Sequence, residues 1–463
     1  MNSAPAPALA LAAAPQTLRR AEFPADFRWG CSTSAYQIEG AATADGRAES
    51  IWDRFCSMPG RIRDGSSGAT ACDHYHRWPE DLDLAADLGL NAYRFSIAWP
   101  RILPNGPSGA PNAKGLDFYS RLVDGMLERG LEPWATLYHW DLPQRLQELG
   151  GWDNRDTVEE FVVFADAVSR RLGDRVRNWM THNEPWCTAF EGCYEGSRAP
   201  GLRNWRTALQ VSHHLLLSHG KAIPVLRANV RNARVGIALS LHPHAGATNS
   251  AADVAAARRY DGLRNRWFLD PLYGRGYPAD IWALCGNDAP QVANGDLATI
   301  ATPTDFLGLN YYFPETVANS PGSGPLAARV VPTPGAERTD IGWEVSPQGL
   351  SGLLERLERE YGPQEIYITE NGASYEDRLA PDGVIADAER RHYLRRHLLA
   401  VHEARARGVP VNGYFAWTLM DNFEWAEGYT HRFGLVHVDF ATQQRRLKQS
   451  GVWYRDFLRA DAD

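Results

Sequence analysis

Residues 176–186 read VRNWMTHNEPW. An apolar run without strict alternation ends in the polar cluster Thr181 to Glu184, and Pro185 closes it. A strand buried on both faces lacks the two-residue period of a half-exposed one, so this run predicts a parallel strand with a polar tip. The same pattern recurs at about 27–36, 91–98, 132–139, 176–183, 234–241, 304–311, 364–370 and 409–417. Segments of helical period lie between these runs, among them 78–89, 114–130, 155–173 and 387–408. Eight strand-then-helix units predict the α/β class and a single (β/α)₈ TIM barrel with long loops at the C-terminal face of the strands. Gly89, Gly130, Gly173 and Gly408 fall where helix gives way to strand, which suits the left-handed position after a helix.

The composition limits the partners. The chain has 463 residues and a net charge of −8, with no basic stripe for a nucleic-acid backbone and no apolar run long enough to span a membrane. Nucleic acid and membrane are therefore excluded as expected partners, and the sequence sets no oligomeric state. The six cysteines show neither paired C-x-x-C motifs nor a disulfide-dense spacing, so reduced thiols and a cytoplasmic location are expected. A Cys187–Cys193 disulfide is the less favoured alternative. Residues 1–20 are Ala-rich but have no basic start and contain three prolines, which predicts a disordered extension ahead of one catalytic domain over 21–463. The stretch 314–346 is too long for an ordinary connection and is expected to wall a binding site.

Polar residues collect after nearly every predicted strand: AYQIEG (35–40), YRFSIAWPR (93–101), LYHWDLP (137–143), LNYYF (309–313), YITENG (367–372) and WTLMDNFEW (417–425). In a barrel these tips share one mouth. Glu184 and Glu370 then converge, each at the end of an apolar strand and each beside an asparagine. A lone glutamate there reads first as the ion-pair partner of a barrel arginine. Two with matching flanks suit glycoside hydrolysis, which needs a proton donor and a nucleophile or base.

These motifs, in this order from FRWGCSTSAYQIEG (27–40) to FGLVHVDF (433–440), resemble glycoside hydrolase family 1, the retaining β-glucosidases. The resemblance implies Glu184 as acid/base and Glu370 as nucleophile, their carboxyls about 5–5.5 Å apart, with no cofactor and no metal. It assigns Arg94 and Tyr312 to keeping Glu370 ionised. Gln37, His139, Trp140, Asn183, Asn310, Glu424 and Trp425 become sugar-binding residues, Trp417 the platform beneath the ring, Phe433 a wall, and Trp343 the aromatic of the leaving-group subsite. Small β-glucosides and oligosaccharides such as cellobiose are the implied substrates. Raising a glutamate from about 4.3 to about 6–7, as a proton donor requires, takes roughly 3 kcal/mol of environment.

Three rivals remain. A 6-phospho-β-glycosidase would not place a carboxylate at Glu424, a non-enzymatic barrel would not keep both glutamates, and a transglycosylating relative would share the same covalent intermediate. CDHYH (72–76) superficially suggests a metal site, but a structural role is the stronger reading.

Overall fold

The computed structural model describes residues 18–106, 109–381 and 383–460. Its centre is a closed barrel of eight parallel strands: β1 (Arg28–Ser32), β2 (Ala92–Ser96), β3 (Glu132–Tyr138), β4 (Asn178–Asn183), β5 (Arg234–Ser240), β6 (Phe306–Asn310), β7 (Ile366–Asn371) and β8 (Val411–Trp417). Each pairs with its neighbours in sequence, and β8 closes on β1 with Gly30 opposite Phe415. The intervening helices include α1 (His74–Asp87), α2 (Ala113–Glu128), α3 (Asp156–Leu172), α4 (Trp205–Asn229), α5 (Ala251–Asp261), α6 (Pro347–Tyr361), α7 (Ala388–Ala406) and α8 (Gln449–Arg459).

All eight expected strands are present, with three local differences. The first ends at Ser32, and residues Ala35–Ile38 form a single helical turn. Helix α1 begins four residues earlier than its pattern suggested, because His74 is drawn into the interior and bonded to Asp81 at 2.7 Å. The stretch 314–346 contains two antiparallel strands, Glu315–Asn319 and Ala328–Val331, and with His244–Gly246 they form a separate three-stranded sheet. The expected extension lies outside the described residues as far as position 17. Leu18 is buried in the core, and Arg20–Glu22 form a 3₁₀ turn.

Of the four helix-ending glycines, Gly89, Gly130 and Gly408 adopt φ of +80°, +71° and +96°. Gly173 does not, having φ −69°. Space is the constraint there: a Cβ would lie 2.4 Å from the Ser169 carbonyl oxygen and 2.6 Å from Val230.

Inside the barrel, Trp134, Met180, Phe306, Tyr367 and Phe415 form an apolar layer. Trp134 sits 4.6–5.4 Å, centroid to centroid, from Phe306, Tyr367 and Phe415. Arg234 closes the lower end over Trp134, Phe306 and Tyr367 and pairs with Glu365 at 2.5 Å. Such a layer needs gaps on the facing strands. Gly236 supplies one, since a Cβ there would meet the Phe306 ring at 2.5 Å. The polar strand tips rest directly above this plug.

Gly236→Ala is expected to overpack the layer at a cost of about 1–3 kcal/mol. The melting temperature should fall in a thermal scan and recover only in part when Phe306→Leu is added, because the Phe306 carbonyl oxygen, 2.6 Å from the same Cβ, stays in place. An unchanged melting temperature in the single variant would contradict the packing account.

Candidate active site

The two strands that carry the glutamates depart from regular pairing. On β4 the register with β5 shifts between Met180 and Asn183, and Thr181 and His182 both turn outward to His219 and Ser218 of α4. This bulge returns Asn183 to the interior. On β7 the register with β6 shifts between Ile368 and Glu370. Bulges re-aim side chains in this way and often accompany functional sites.

Glu184 then leaves β4 with φ +48°, and Pro185 starts a helical segment that continues as a π-helix over Cys187–Glu195. Pro185 disfavours right-handed helical geometry in the residue before it, so Glu184 cannot simply begin the helix. The chain must instead pass from strand to helix within one residue, and the Glu184 amide is fixed on the Ala238 carbonyl at 2.8 Å. Trp140 and Trp425 also have positive φ, +79° and +52°. Three bulky residues in the left-handed region of one site are locally strained and must be held by their surroundings.

The carboxyls of Glu184 and Glu370 line one cavity of about 320 Å³. Glu370 accepts from Arg94 Nη1 at 2.6 Å and from the Tyr312 hydroxyl at 2.7 Å. Glu184 meets neutral donors, Asn310 Nδ2 at 2.8 Å and the Cys187 thiol at 3.1 Å. Arg94 Nη2 donates to Asn183 Oδ1 at 2.6 Å, and Asn310 Nδ2 donates to the same oxygen at 3.0 Å. Arg94 also places Nε against Met180 Sδ at 3.3 Å, which seats the guanidinium on the apolar layer.

Burial pushes the Glu370 carboxyl up to about 7, and Glu184 adds to the rise, while Arg94 and Tyr312 oppose it. The upward pressure that the sequence argument placed on the proton donor therefore falls on the nucleophile candidate. A guanidinium and a phenol hydroxyl donating to one carboxyl favour its ionised form, and Glu370 is the carboxyl that receives both.

Trp140, Trp343, Trp417 and Trp425 line the same cavity, together with His139, Asn183, Tyr312 and Glu424. His139 Nε2 accepts from Asn183 Nδ2 at 3.0 Å, and its Nδ1 meets no protein partner. Burial, then the Arg94 charge, push this imidazole well below its usual range, so it is neutral. Glu424 Oε2 also has no partner. Burial raises Glu424 to about 8, Arg198 opposing and both Glu370 and Glu184 reinforcing. Charge repulsion of a sugar phosphate, expected of Glu424, is correspondingly weak at neutral pH. What Glu424 offers there is hydrogen bonding.

Four expected site residues lie behind the cavity surface. Arg94 and Asn310 are buried beneath it. Gln37 donates to Asn422 Oδ1 at 3.1 Å and to the Phe423 carbonyl at 2.9 Å and accepts from Ser34, so its amide anchors the loop that carries Glu424. Phe433 backs Trp343, ring to ring at 5.6 Å. Sequence reasoning missed Arg198, which lines the cavity, lies 5.0 Å over the Trp140 ring and pairs with Glu191 at 2.7 Å. It also missed Arg264, which bonds His242 at 2.7 Å. Both arginines follow β4 or β5 in long connections, where spacing carries no signal.

Cys187 and Cys193 are free thiols, as are the other four cysteines. In the CDHYH stretch, His74 is committed to Asp81, and Cys72 donates to the Asp421 carbonyl. No helix among the described residues is long and apolar enough to cross a membrane.

The chain is 46% identical to beta-glucosidase A of Acetivibrio thermocellus, covering 94% of this chain and 98% of that one. It is 43% identical to a bifunctional beta-D-glucosidase/beta-D-fucosidase of Bifidobacterium breve, with 94% and 98% covered. Its structure superposes on the family 1 β-glucosidase of Thermotoga maritima with a TM-score of 0.92, at 42% identity, 94% of this chain and 98% of that one. Residues 19–462 match the profile of Glycosyl hydrolase family 1. With its closed parallel barrel and two carboxyls at one mouth, the chain belongs to glycosyl hydrolase family 1, and it is a glycosidase.

Proposed function

We propose that the protein is a retaining exo-β-glucosidase acting on terminal β-D-glucosyl residues of small glucosides and oligosaccharides, with cellobiose as one substrate, and that residues 21–463 work as one catalytic domain in the cytoplasm. The observation that carries this reading is the unequal hydrogen bonding of the two carboxyls. Glu370 faces a guanidinium and a phenol, whereas Glu184 faces an amide and a thiol.

Glu370 attacks the anomeric carbon while Glu184 gives its proton to the departing glycosidic oxygen. A new bond joins Glu370 to the sugar as the aglycone leaves with that proton. Glu184, now ionised, takes a proton from water, whose oxygen displaces Glu370 from the sugar. Two inversions give net retention. Asn183 is placed to reach the 2-hydroxyl, because Arg94 and Asn310 fix its oxygen and leave its second N–H for the cavity. His139 Nδ1 and Glu424 Oε2 are unpartnered polar atoms suited to sugar hydroxyls, and an unmatched sugar would leave them unsatisfied. Trp417 supplies a flat apolar face for the ring. Trp343, packed at tilted angles among Tyr312, Phe313 and Phe433, serves the leaving group.

Turnover of 4-nitrophenyl β-glucoside, β-galactoside, β-fucoside and 6-phospho-β-glucoside tests the reading. Glu370→Gly should lose hydrolysis by roughly 10⁴-fold or more. Full activity in that variant, or a preference for the phosphorylated sugar, would overturn it. Glu424→Ala should reduce kcat/KM about 10-fold more for the galactoside than for the fucoside, its counterpart without the 6-hydroxyl. Equal losses would remove Glu424 from recognition of that group.

The pH profile follows from the buried nucleophile candidate. Burial pushes Glu370 up to about 7, so kcat/KM should rise as pH rises through that value and its carboxylate forms. The Glu184 charge adds to that rise, so in Glu184→Ala, assayed with an activated aryl glucoside that needs no proton donor, this acid limb should move to lower pH. An unmoved limb would overturn the electrostatic coupling of the two carboxyls.

A further inference from the structure

Cys187 reaches Glu184 through the local fold of the chain. Its amide donates to the Glu184 carbonyl at 3.0 Å as the helical segment begins, which lays the side chain one turn beyond the carboxyl. The thiol is buried and lines the cavity, forms no disulfide, and stands 3.1 Å from Glu184 Oε2. Asn310 holds the other oxygen at 2.8 Å. A carboxyl anchored at both oxygens cannot rotate about its terminal torsion, so the lone pair or proton that faces the glycosidic bond keeps one direction.

We propose that Cys187 is a positioning residue for the proton donor, fixing the plane of the Glu184 carboxyl and stabilising its ionised form between the two half-reactions. The proposal rests on the reading of Glu184 as acid/base. A donor aimed at a carboxylate favours the charged form. The thiol can serve throughout the cycle, because burial, then the charges of Glu184 and Glu191, push it well above the usual range and keep its hydrogen on sulfur. No bond to sulfur is made or broken. Glu370, Tyr312, Glu424, Arg198 and Arg264 also act electrostatically on this region. Arg198 and Arg264 also interact electrostatically with Cys187, so restoration by Cys187→Ser is what assigns a change in the pH profile to the donor.

Cys187→Val and Cys187→Ser are compared with the wild type on a methyl β-glucoside, whose leaving group needs a proton, and on the activated 4-nitrophenyl β-glucoside. Cys187→Val should lower kcat/KM about 10-fold for the methyl glucoside and less than about 2-fold for the nitrophenyl one. The alkaline limb of its methyl glucoside profile, where the donor proton is lost, should move to higher pH, since the carboxylate has lost a donor. Cys187→Ser, which keeps a donor, should restore both the ratio and the limb. A folding defect lowers both substrates alike and leaves the ratio unchanged. A wild-type ratio and limb in Cys187→Val, or failure of Cys187→Ser to restore them, would overturn the proposal. Glu184→Ala separates the two levels. If it turns over the methyl glucoside at the wild-type rate, the acid/base reading fails. If it loses that turnover while Cys187→Val behaves as wild type, only the positioning role fails.

Discussion

The buried pair of Arg94 and Glu370, 2.6 Å apart, is the contact from which the rest of the mouth is arranged. Removing one partner of such a pair costs about 3–5 kcal/mol, because the other charge stays buried and uncompensated. Arg94 is not committed to Glu370 alone. Its other amino group holds Asn183, Asn183 holds His139, and Asn310 links Asn183 to Glu184. One guanidinium thereby joins β2, β4 and β7, and through Asn310 it reaches β6. The aromatic plug beneath gives this network a stiff floor, with Met180 as the point of contact. Geometry that must be accurate to a fraction of an ångström is carried by rigid strands, and the loops mainly wall the cavity.

Regular strands would not deliver these side chains. Alternate residues of a strand point to opposite faces, so Asn183 and Glu184 could not both serve one pocket from an unbroken β4. The bulge at Thr181 and His182 and the positive φ of Glu184 solve that problem together. Strain at such positions persists only where neighbours over-determine the backbone. The Glu184 amide on Ala238 and the Trp140 indole N–H on the Asn183 carbonyl, at 2.9 Å, supply that support.

The barrel was legible because eight buried strands leave eight apolar runs, and the periodicity of the helices between them is equally plain. The two glutamates were legible because each ends such a run beside an asparagine. Other features depend on contacts that no local pattern encodes. Gly173 looked like a helix terminator, yet its role is close packing against Ser169 and Val230, which the sequence places far from one another. Gln37 was assigned to the sugar by resemblance, and its amide N–H groups also bond residues nearly 390 positions away, a contact that no local pattern encodes. Arg198 and the thiol of Cys187 reach the cavity only because the chain after Pro185 winds as a π-helix, and no residue type in that stretch announces one. The charge of Glu424 was read from its side chain alone, but burial decides its protonation.

Arg94 pairs directly with one carboxylate beneath the cavity, and this bears on what the site holds at each stage of the proposed reaction. Glu370 carries the charge at the outset, held ionised by Arg94 and Tyr312 against the opposing effect of burial. Attack on the sugar turns Glu370 into a neutral ester, which leaves Arg94 without its anion. Ionisation of Glu184 then restores the balance, so release of its proton to the leaving group is favoured at the moment the covalent bond forms. Hydrolysis of the ester regenerates the Glu370 carboxylate and again disfavours a second charge, which returns the proton to Glu184. The alternation of acid and base roles thus follows from conserving one negative charge beside Arg94, with Asn310 and Cys187 holding the carboxyl in place while its charge changes.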